Sequence, residues 1–344
     1  MNKIFGIDLG TSTLKIYKKG EGIVLDEKNV IAIQNRKKII AIGDEAHEML
    51  EKAPENISVS YPVRNGVIAD IANMESMLNA VVKTKLKGKS AVKGGTCLIA
   101  VPNDITDVEK RSFFDLISSA LPKVKNVGVV EKPVAAALGS GLDITTANGV
   151  MVVDIGADTT EISIMSLGGI VLSKLVPVGG NKLDESIKLF VKKKYNLLIG
   201  DKTAEAIKKE LACAFDDEEK TVNAYGRNVV TGLPSQMEID SSMVHESIKE
   251  YLATIIDAIK MILERTPPEI SSDIIDSGIY ITGGSAGIRH LDRLISKETD
   301  LTVNISDNPS DAVVNGLGMI MEDANLLSLA YMNKSSAGNS HKRM

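Results

Sequence analysis

Phe5-Gly6-Ile7-Asp8-Leu9-Gly10-Thr11-Ser12-Thr13-Leu14-Lys15-Ile16 is an apolar run that ends in Asp-x-Gly, turns through short hydroxyl residues and resumes with alternating apolar side chains. Roughly halfway along the chain the pattern returns as Met151-Val152-Val153-Asp154-Ile155-Gly156-Ala157-Asp158-Thr159-Thr160-Glu161-Ile162-Ser163-Ile164. Each copy predicts a strand, a tight turn and a second strand, with an acid near the end of the first. One Asp-x-Gly alone reads as an ordinary hairpin turn. Two copies at matching places in two halves predict a duplicated fold.

The turn residues suit an anion. Gly10 and Gly156 permit close backbone approach, so successive N–H groups can form an anion-binding nest. Thr11, Ser12, Thr13, Thr159 and Thr160 add short hydroxyl donors. Asp8 and Asp154 cannot face a phosphate bare. Their expected role is to hold a hydrated Mg2+, which takes oxygen ligands and keeps several waters. Two such hairpins can hold a nucleotide phosphate chain from two sides.

At 344 residues the chain has length for about two domains. It is 44% hydrophobic and 25% charged, in the range of soluble globular proteins. Aromatic residues make up 3%, Trp is absent and the net charge is −5, which argues against a base-stacking surface and against broad binding to nucleic acid. Cys97 and Cys213 match no metal spacing and read as buried apolar residues in a reducing cytoplasm. His47, His245, His290 and His341 form no cluster. The first strand begins too near Met1 for a signal peptide or an amphipathic anchor, and no apolar stretch reaches the roughly 18–20 residues of a membrane span. A membrane contact is expected only through a surface loop or a partner.

Alternating strands and helices predict an α/β fold, mostly parallel, with antiparallel hairpins opening each half. Strands are expected at 22–25, 30–33, 38–43, 96–102, 127–130, 169–177, 278–282 and 301–304. Helices are expected at 72–85, 182–195, 203–214, 242–264, 288–298 and 311–322, and one opened by Asp104 or Thr106 runs to 120. Asp44 is expected to cap a short helix through Leu50. Residues 53–65, with Pro54 and Pro62, read as irregular, and 83–93 as a basic loop. Pro133 starts a small-residue helix, and Pro267-Pro268 ends the long helix before it. The expected division is 1–145 with a small subdomain at about 33–65, then 146–325 with one at about 182–242, then a disordered tail at 326–344.

Together these motifs resemble the actin-like ATPase superfamily, with its two phosphate hairpins, connecting helix and Gly-Gly adenosine turn. Here these are Asp8-Leu9-Gly10-Thr11, residues 154–160, residues 131–139 and Thr282-Gly283-Gly284. The resemblance implies two duplicated ribonuclease-H-like halves around an interdomain nucleotide cleft. Within the superfamily, Arg64-Asn65-Gly66-Val67-Ile68-Ala69-Asp70, Ile105-Thr106-Asp107-Val108-Glu109-Lys110-Arg111, Glu131-Lys132-Pro133-Val134-Ala135-Ala136-Ala137 and Ala204-Glu205-Ala206-Ile207-Lys208-Lys209-Glu210 resemble the MreB family of bacterial cell-shape proteins. The likeness runs from about Ile4 to Glu322.

That resemblance implies an ATP-dependent filament former in the cytoplasm, lying beneath the membrane, with slow Mg-dependent hydrolysis linked to assembly. Its partners would be its own copies, a lipid surface and membrane-bound morphogenetic proteins. Other members of the superfamily are small-molecule kinases and actins that position plasmids or organelles. By position, Asp8, Gly10, Thr11, Ser12 and Thr13 would hold phosphates in the first half, and Gly156, Ala157, Asp158, Thr159 and Thr160 in the second. The catalytic group would be Glu131, orienting the attacking water, with Asp154 near the metal and Thr159. Glu205, Lys208 and Glu210 would meet the nucleoside, with Glu210 reaching ribose, and Gly283, Gly284 and Ser285 would lie against adenosine. Two departures stand out. The family's Gly-Gly-Gly is Gly156-Ala157-Asp158 here, and a carboxylate beside a phosphate repels it unless Mg2+ intervenes or the side chain turns away. Ser285 stands where a third Gly is usual. The loop Lys87-Gly88-Lys89-Ser90-Ala91-Val92-Lys93, at the place of the family's apolar membrane loop, is weakly apolar and basic.

Overall fold

The alternation read at Phe5-Gly6-Ile7-Asp8-Leu9 decides which side chains enter the core. A computed structural model of the chain describes residues 3–86, 92–216 and 219–333. In the strand Ile4–Leu9, Phe5, Ile7 and Leu9 join one hydrophobic cluster. Gly6 and Asp8 fall on the opposite face, because successive side chains alternate. There a Cβ on Gly6 would lie 2.9 Å from Leu317 and Met321, on the helix Ala312–Glu322. The second copy follows suit: Met151, Val153 and Ile155 of the strand Val150–Ile155 enter the other large cluster, and Asp154 does not.

The chain divides into two units: the described residues up to Ala135 together with those from Val313 onward, and Ala136–Ala312. The second unit's main sheet has the order Gly169–Val176, Thr160–Ser166, Val150–Ile155, Ile279–Thr282, Val303–Ile305. The first three are antiparallel neighbours, and the last two join in parallel. The first unit repeats this order with Gly22–Lys28, Thr13–Lys18, Ile4–Leu9, Thr96–Val101 and Asn126–Glu131. The duplication is therefore one of topology. Each unit carries a smaller three-stranded sheet as well: Ile31–Gln34, Lys38–Ile42 and Ile57–Ser60 in the first, Leu197–Leu198, Thr221–Asn228 and Pro234–Asp240 in the second.

Local rules place the helices. Asp70 caps Ile71–Thr84 by accepting the Asn73 N–H at 2.9 Å, and Met74, Met77, Leu78, Val81 and Val82 bury one stripe. Thr106 and Glu109 form a reciprocal capping box at the start of Asp107–Ala120. Elsewhere the structure corrects the sequence reading. Asp44 is not a cap: the helix Gly43–Glu48 begins before it, and its carboxylate accepts the Lys28 N–H at 3.0 Å. The segment expected to be irregular contains the strands Ile57–Ser60 and Val63–Arg64. Pro267-Pro268 ends one helix and starts another, Pro268–Ser277, since proline fits a first turn that needs no N–H. Part of the expected tail is regular structure. Leu326–Leu329 is a 3-10 turn and Tyr331–Asn333 pairs antiparallel with Asn126–Glu131. Residues 334–344 and most of the lysine loop, 87–91, lie outside the described residues.

Candidate functional site

The second hairpin closes on itself, with the Gly156 N–H donating to the Thr159 carbonyl at 2.8 Å. The start of the helix Gly180–Tyr195 then holds the turn's carbonyls: the Gly180 N–H donates to Gly156 O at 3.0 Å, and the Asn181 N–H to Ala157 O at 2.7 Å. Glycine at 179 permits this approach, since a Cβ there would lie 2.7 Å from the Ala157 carbonyl. Among the described residues, no acceptor takes the N–H of Ala157 or of Thr159. A turn held by its carbonyls with N–H groups to spare is what an anion nest requires. The Asp158 carboxylate accepts from Asn181 Nδ2 at 2.7 Å, beside a helix N-terminus that favours negative charge. The side chain is thereby tied to the helix start. Thr160 differs from the expectation. It is fully buried and donates its hydroxyl to Val178 O at 2.8 Å. It pairs with Ile155 and so shares that residue's core-facing side.

The turn after Ile279–Thr282 packs against this hairpin. Gly283 has φ +88°, and a Cβ there would come within 2.4 Å of Asp154 Oδ1, so the position demands glycine. A Cβ on Gly284 would meet nothing within 4 Å, which leaves an open surface. Ser285 donates its hydroxyl to Gly156 O at 3.0 Å. Lys208, on the helix Asp201–Leu211, donates through Nζ to Gly180 O at 2.9 Å and to Asp184 Oδ2 at 2.7 Å. A Cβ on Gly180 would lie 2.8 Å from Ser285 Oγ and 3.0 Å from Lys208 Nζ. Thus Asp154, Gly156, Ala157, Asp158, Lys208, Gly283 and Ser285 are brought together, along with Gly180, Asn181 and Asp184, which sequence reasoning missed. Burial lifts the Asp184 carboxyl above the ordinary carboxylate range, against the opposing pull of Lys208. Glu205 lies one turn before Lys208 and pairs with Lys209 at 2.7 Å. Glu210 is exposed and, two residues past Lys208, about 200° round the helix from it.

The first turn is braced differently. Asn29 is fully buried; its Nδ2 donates to Gly10 O at 2.8 Å and its N–H to Ser12 O at 2.9 Å. One side chain here does the work of the helix start in the second unit. No acceptor among the described residues takes the N–H of Thr11 or of Ser12. A Cβ on Gly10 would lie 2.9 Å from the Thr13 carbonyl. Asp8 is buried and stands opposite Lys15 in register, and Lys15 pairs with Asp26 at 3.4 Å. Nothing local in the sequence marks Asn29, the last of four consecutive polar residues before an apolar run.

Glu131 ends the strand Asn126–Glu131 just before the helix Lys132–Gly139. It is half-buried; desolvation raises its carboxyl pKa, and Lys110 opposes the shift. Among the described residues no group of three or more His, Cys, Asp or Glu side chains could hold a metal ion. Asp8 and Asp154 are each buried next to a glycine turn and offer carboxylate oxygens, the ligand type that Mg2+ takes.

The model of the MreB/Mbl protein family matches residues 2–329. The cell shape-determining protein Mbl of Bacillus subtilis (strain 168) is 41% identical over 326 residues, spanning 94% of this chain and 96% of that protein. The cell shape-determining protein MreB of Escherichia coli (strain K12) is 40% identical over 322 residues, or 92% of each. Among solved structures, MreB5 of Spiroplasma citri bound to AMPPNP has a TM-score of 0.89 at 31% identity, covering 93% of this chain and 96% of that one. No helix among the described residues is long and apolar enough to cross a membrane. With a family match over residues 2–329, and the duplicated sheet beneath it, the chain has the actin-like ATPase fold and belongs to the MreB/Mbl family.

Proposed function

We propose that the chain is an ATP-binding cytoskeletal protein that assembles with its own copies into filaments and helps to determine cell shape, hydrolysing ATP slowly as it assembles. The observation that carries this reading is the Gly156–Thr159 turn, whose carbonyls are held while the Ala157 and Thr159 N–H groups have no acceptor among the described residues. The relatives named above are cell-shape proteins, and MreB5 of Spiroplasma citri has been solved with AMPPNP and with ADP.

The residues present fit such a ligand. In the second unit the turn N–H groups bind phosphate oxygens, and the open surface at Gly284 takes the flat adenosine. In the first unit the Thr11 and Ser12 N–H groups likewise have no acceptor among the described residues, as an anion-binding turn requires. Asp8 in the first unit and Asp154 in the second would each suit Mg2+ held through water, and such an ion would neutralise phosphate charge. Glu131, with its basicity raised by burial, orients water for in-line attack. Membrane contact, direct or through membrane-bound partners, belongs to this proposal as well, and cosedimentation with anionic vesicles tests it.

Purified protein with Mg-ATP should take up nucleotide by calorimetry, release phosphate slowly and form filaments visible by electron microscopy. Absence of nucleotide uptake sinks the reading. Uptake and turnover without filaments would favour the small-molecule kinase alternative.

A further inference from the structure

We propose that Asp184 is a positioning residue: its carboxylate fixes the Lys208 ammonium beside Gly180 and Ser285, so that one N–H of that ammonium is presented to a bound nucleotide. The inference rests on the nucleotide-binding reading above and adds to it a residue that touches no ligand itself.

An ammonium has three donors. Those of Lys208 engage Gly180 O at 2.9 Å and Asp184 Oδ2 at 2.7 Å, which leaves one. The heavy-atom frame around it is crowded: a Cβ on Gly180 would strike both Ser285 Oγ and Lys208 Nζ. Ser285 in turn donates to Gly156 O, the carbonyl that also accepts from Gly180. The ammonium is therefore placed against the carbonyl frame of the phosphate turn. A lysine on its own four-carbon stem is mobile and strongly hydrated. Two fixed acceptors remove that freedom before any ligand arrives, which is how preorganisation raises affinity.

The pair makes little sense as a stability device. The Asp184 and Lys208 side chains are each only 12% exposed, and a buried ion pair often contributes no more than well-packed apolar residues of the same volume. Asp184 Oδ1 is buried and has no hydrogen-bond partner, an arrangement that stability alone disfavours. The other charges acting on Asp184 are Glu205 and Lys209, of opposite sign and paired with each other. They leave Lys208 as the partner that matters.

The test is a double-mutant cycle on Mg-ATP affinity, read by calorimetry on the full chain. Asp184→Asn should weaken binding about tenfold, the size expected for losing one well-placed charged hydrogen bond. Without nucleotide the variant should melt below wild type, because asparagine leaves the buried Lys208 ammonium without its counter-charge, so affinity is read at a temperature where both chains are folded. Lys208→Met should weaken binding at least as much, and the double variant no more than Lys208→Met alone, because Asp184 acts through Lys208. Additive effects, or unchanged affinity in Asp184→Asn, overturn the inference while wild-type binding leaves the function intact. A wild-type chain that takes up no ATP overturns both. If Asp184→Asn does not fold, Lys208→Arg serves instead. A guanidinium cannot reproduce the ammonium's placement, so affinity should fall about fivefold or more, and an unchanged value overturns the proposal.

Discussion

At the scale of single residues, charge and its surroundings decide the chemistry. Glu131 is a carboxyl whose pKa is raised by burial. Glu131→Gln should leave Mg-ATP affinity nearly unchanged and slow phosphate release by about 10²–10⁴-fold, the usual contribution of a positioned base. A full rate in that variant would remove Glu131 from the reaction. The same shift has a stability sign. A raised folded-state pKa means that the ionised form is disfavoured by folding, so the strain is present at neutral pH and vanishes below the ordinary Glu value of 4.5. Glu131→Gln should therefore melt at or above wild type at pH 7, and the difference should fade as pH falls through the carboxylate range. A difference that grows on acidification would contradict the burial argument. Asp158 was legible as a misfit in a glycine turn; its tie to Asn181 was not. Asp158→Gly should tighten Mg-ATP about threefold at low salt by removing a nearby like charge. Equal affinity and equal hydrolysis would count against placing this turn at the phosphates.

At the scale of elements, caps and close approaches decide. Thr106 and Glu109 were readable in advance because a capping box is a four-residue pattern. Thr106→Ala should cost about 1 kcal/mol in urea unfolding, with the slope unchanged. The docking of Gly180–Tyr195 on the second turn could not be read, since it joins residues more than twenty positions apart. Gly179→Ala tests it: the new Cβ would press on the Ala157 backbone, which cannot give way as a side chain end can. A loss of about 1–3 kcal/mol is expected, together with weaker nucleotide binding. Unaltered stability would mean that the helix start does not hold the turn. Pro268–Ser277 was hidden for a different reason. Two prolines read as a stop, yet the second sits where a helix start tolerates it.

At the scale of the whole molecule, ligand and fold are linked. A nucleotide that binds only folded chain, at about 100 times its Kd, adds roughly 2.7 kcal/mol of stability and should raise Tm by several degrees in thermal melts. A Tm indifferent to Mg-ATP would argue against a folded nucleotide site. The duplicated architecture, the strand faces and the positions of both glycine turns follow from the sequence alone. Period-two alternation and Asp-x-Gly are written in consecutive residues, and backbone sterics act on them locally. What braces those turns was decided only in three dimensions: Asn29 in one unit, the Gly180 helix start in the other, with Asp184 and Lys208 beside it. Thr160, read as a ligand to phosphate, became part of the core for a related reason, because one step along a strand reverses the side chain. Buried hydrogen bonds between distant residues leave no periodic trace in a sequence. They depend on which backbone groups the folded chain leaves unsatisfied, and that is known only once the sheets and helices have met.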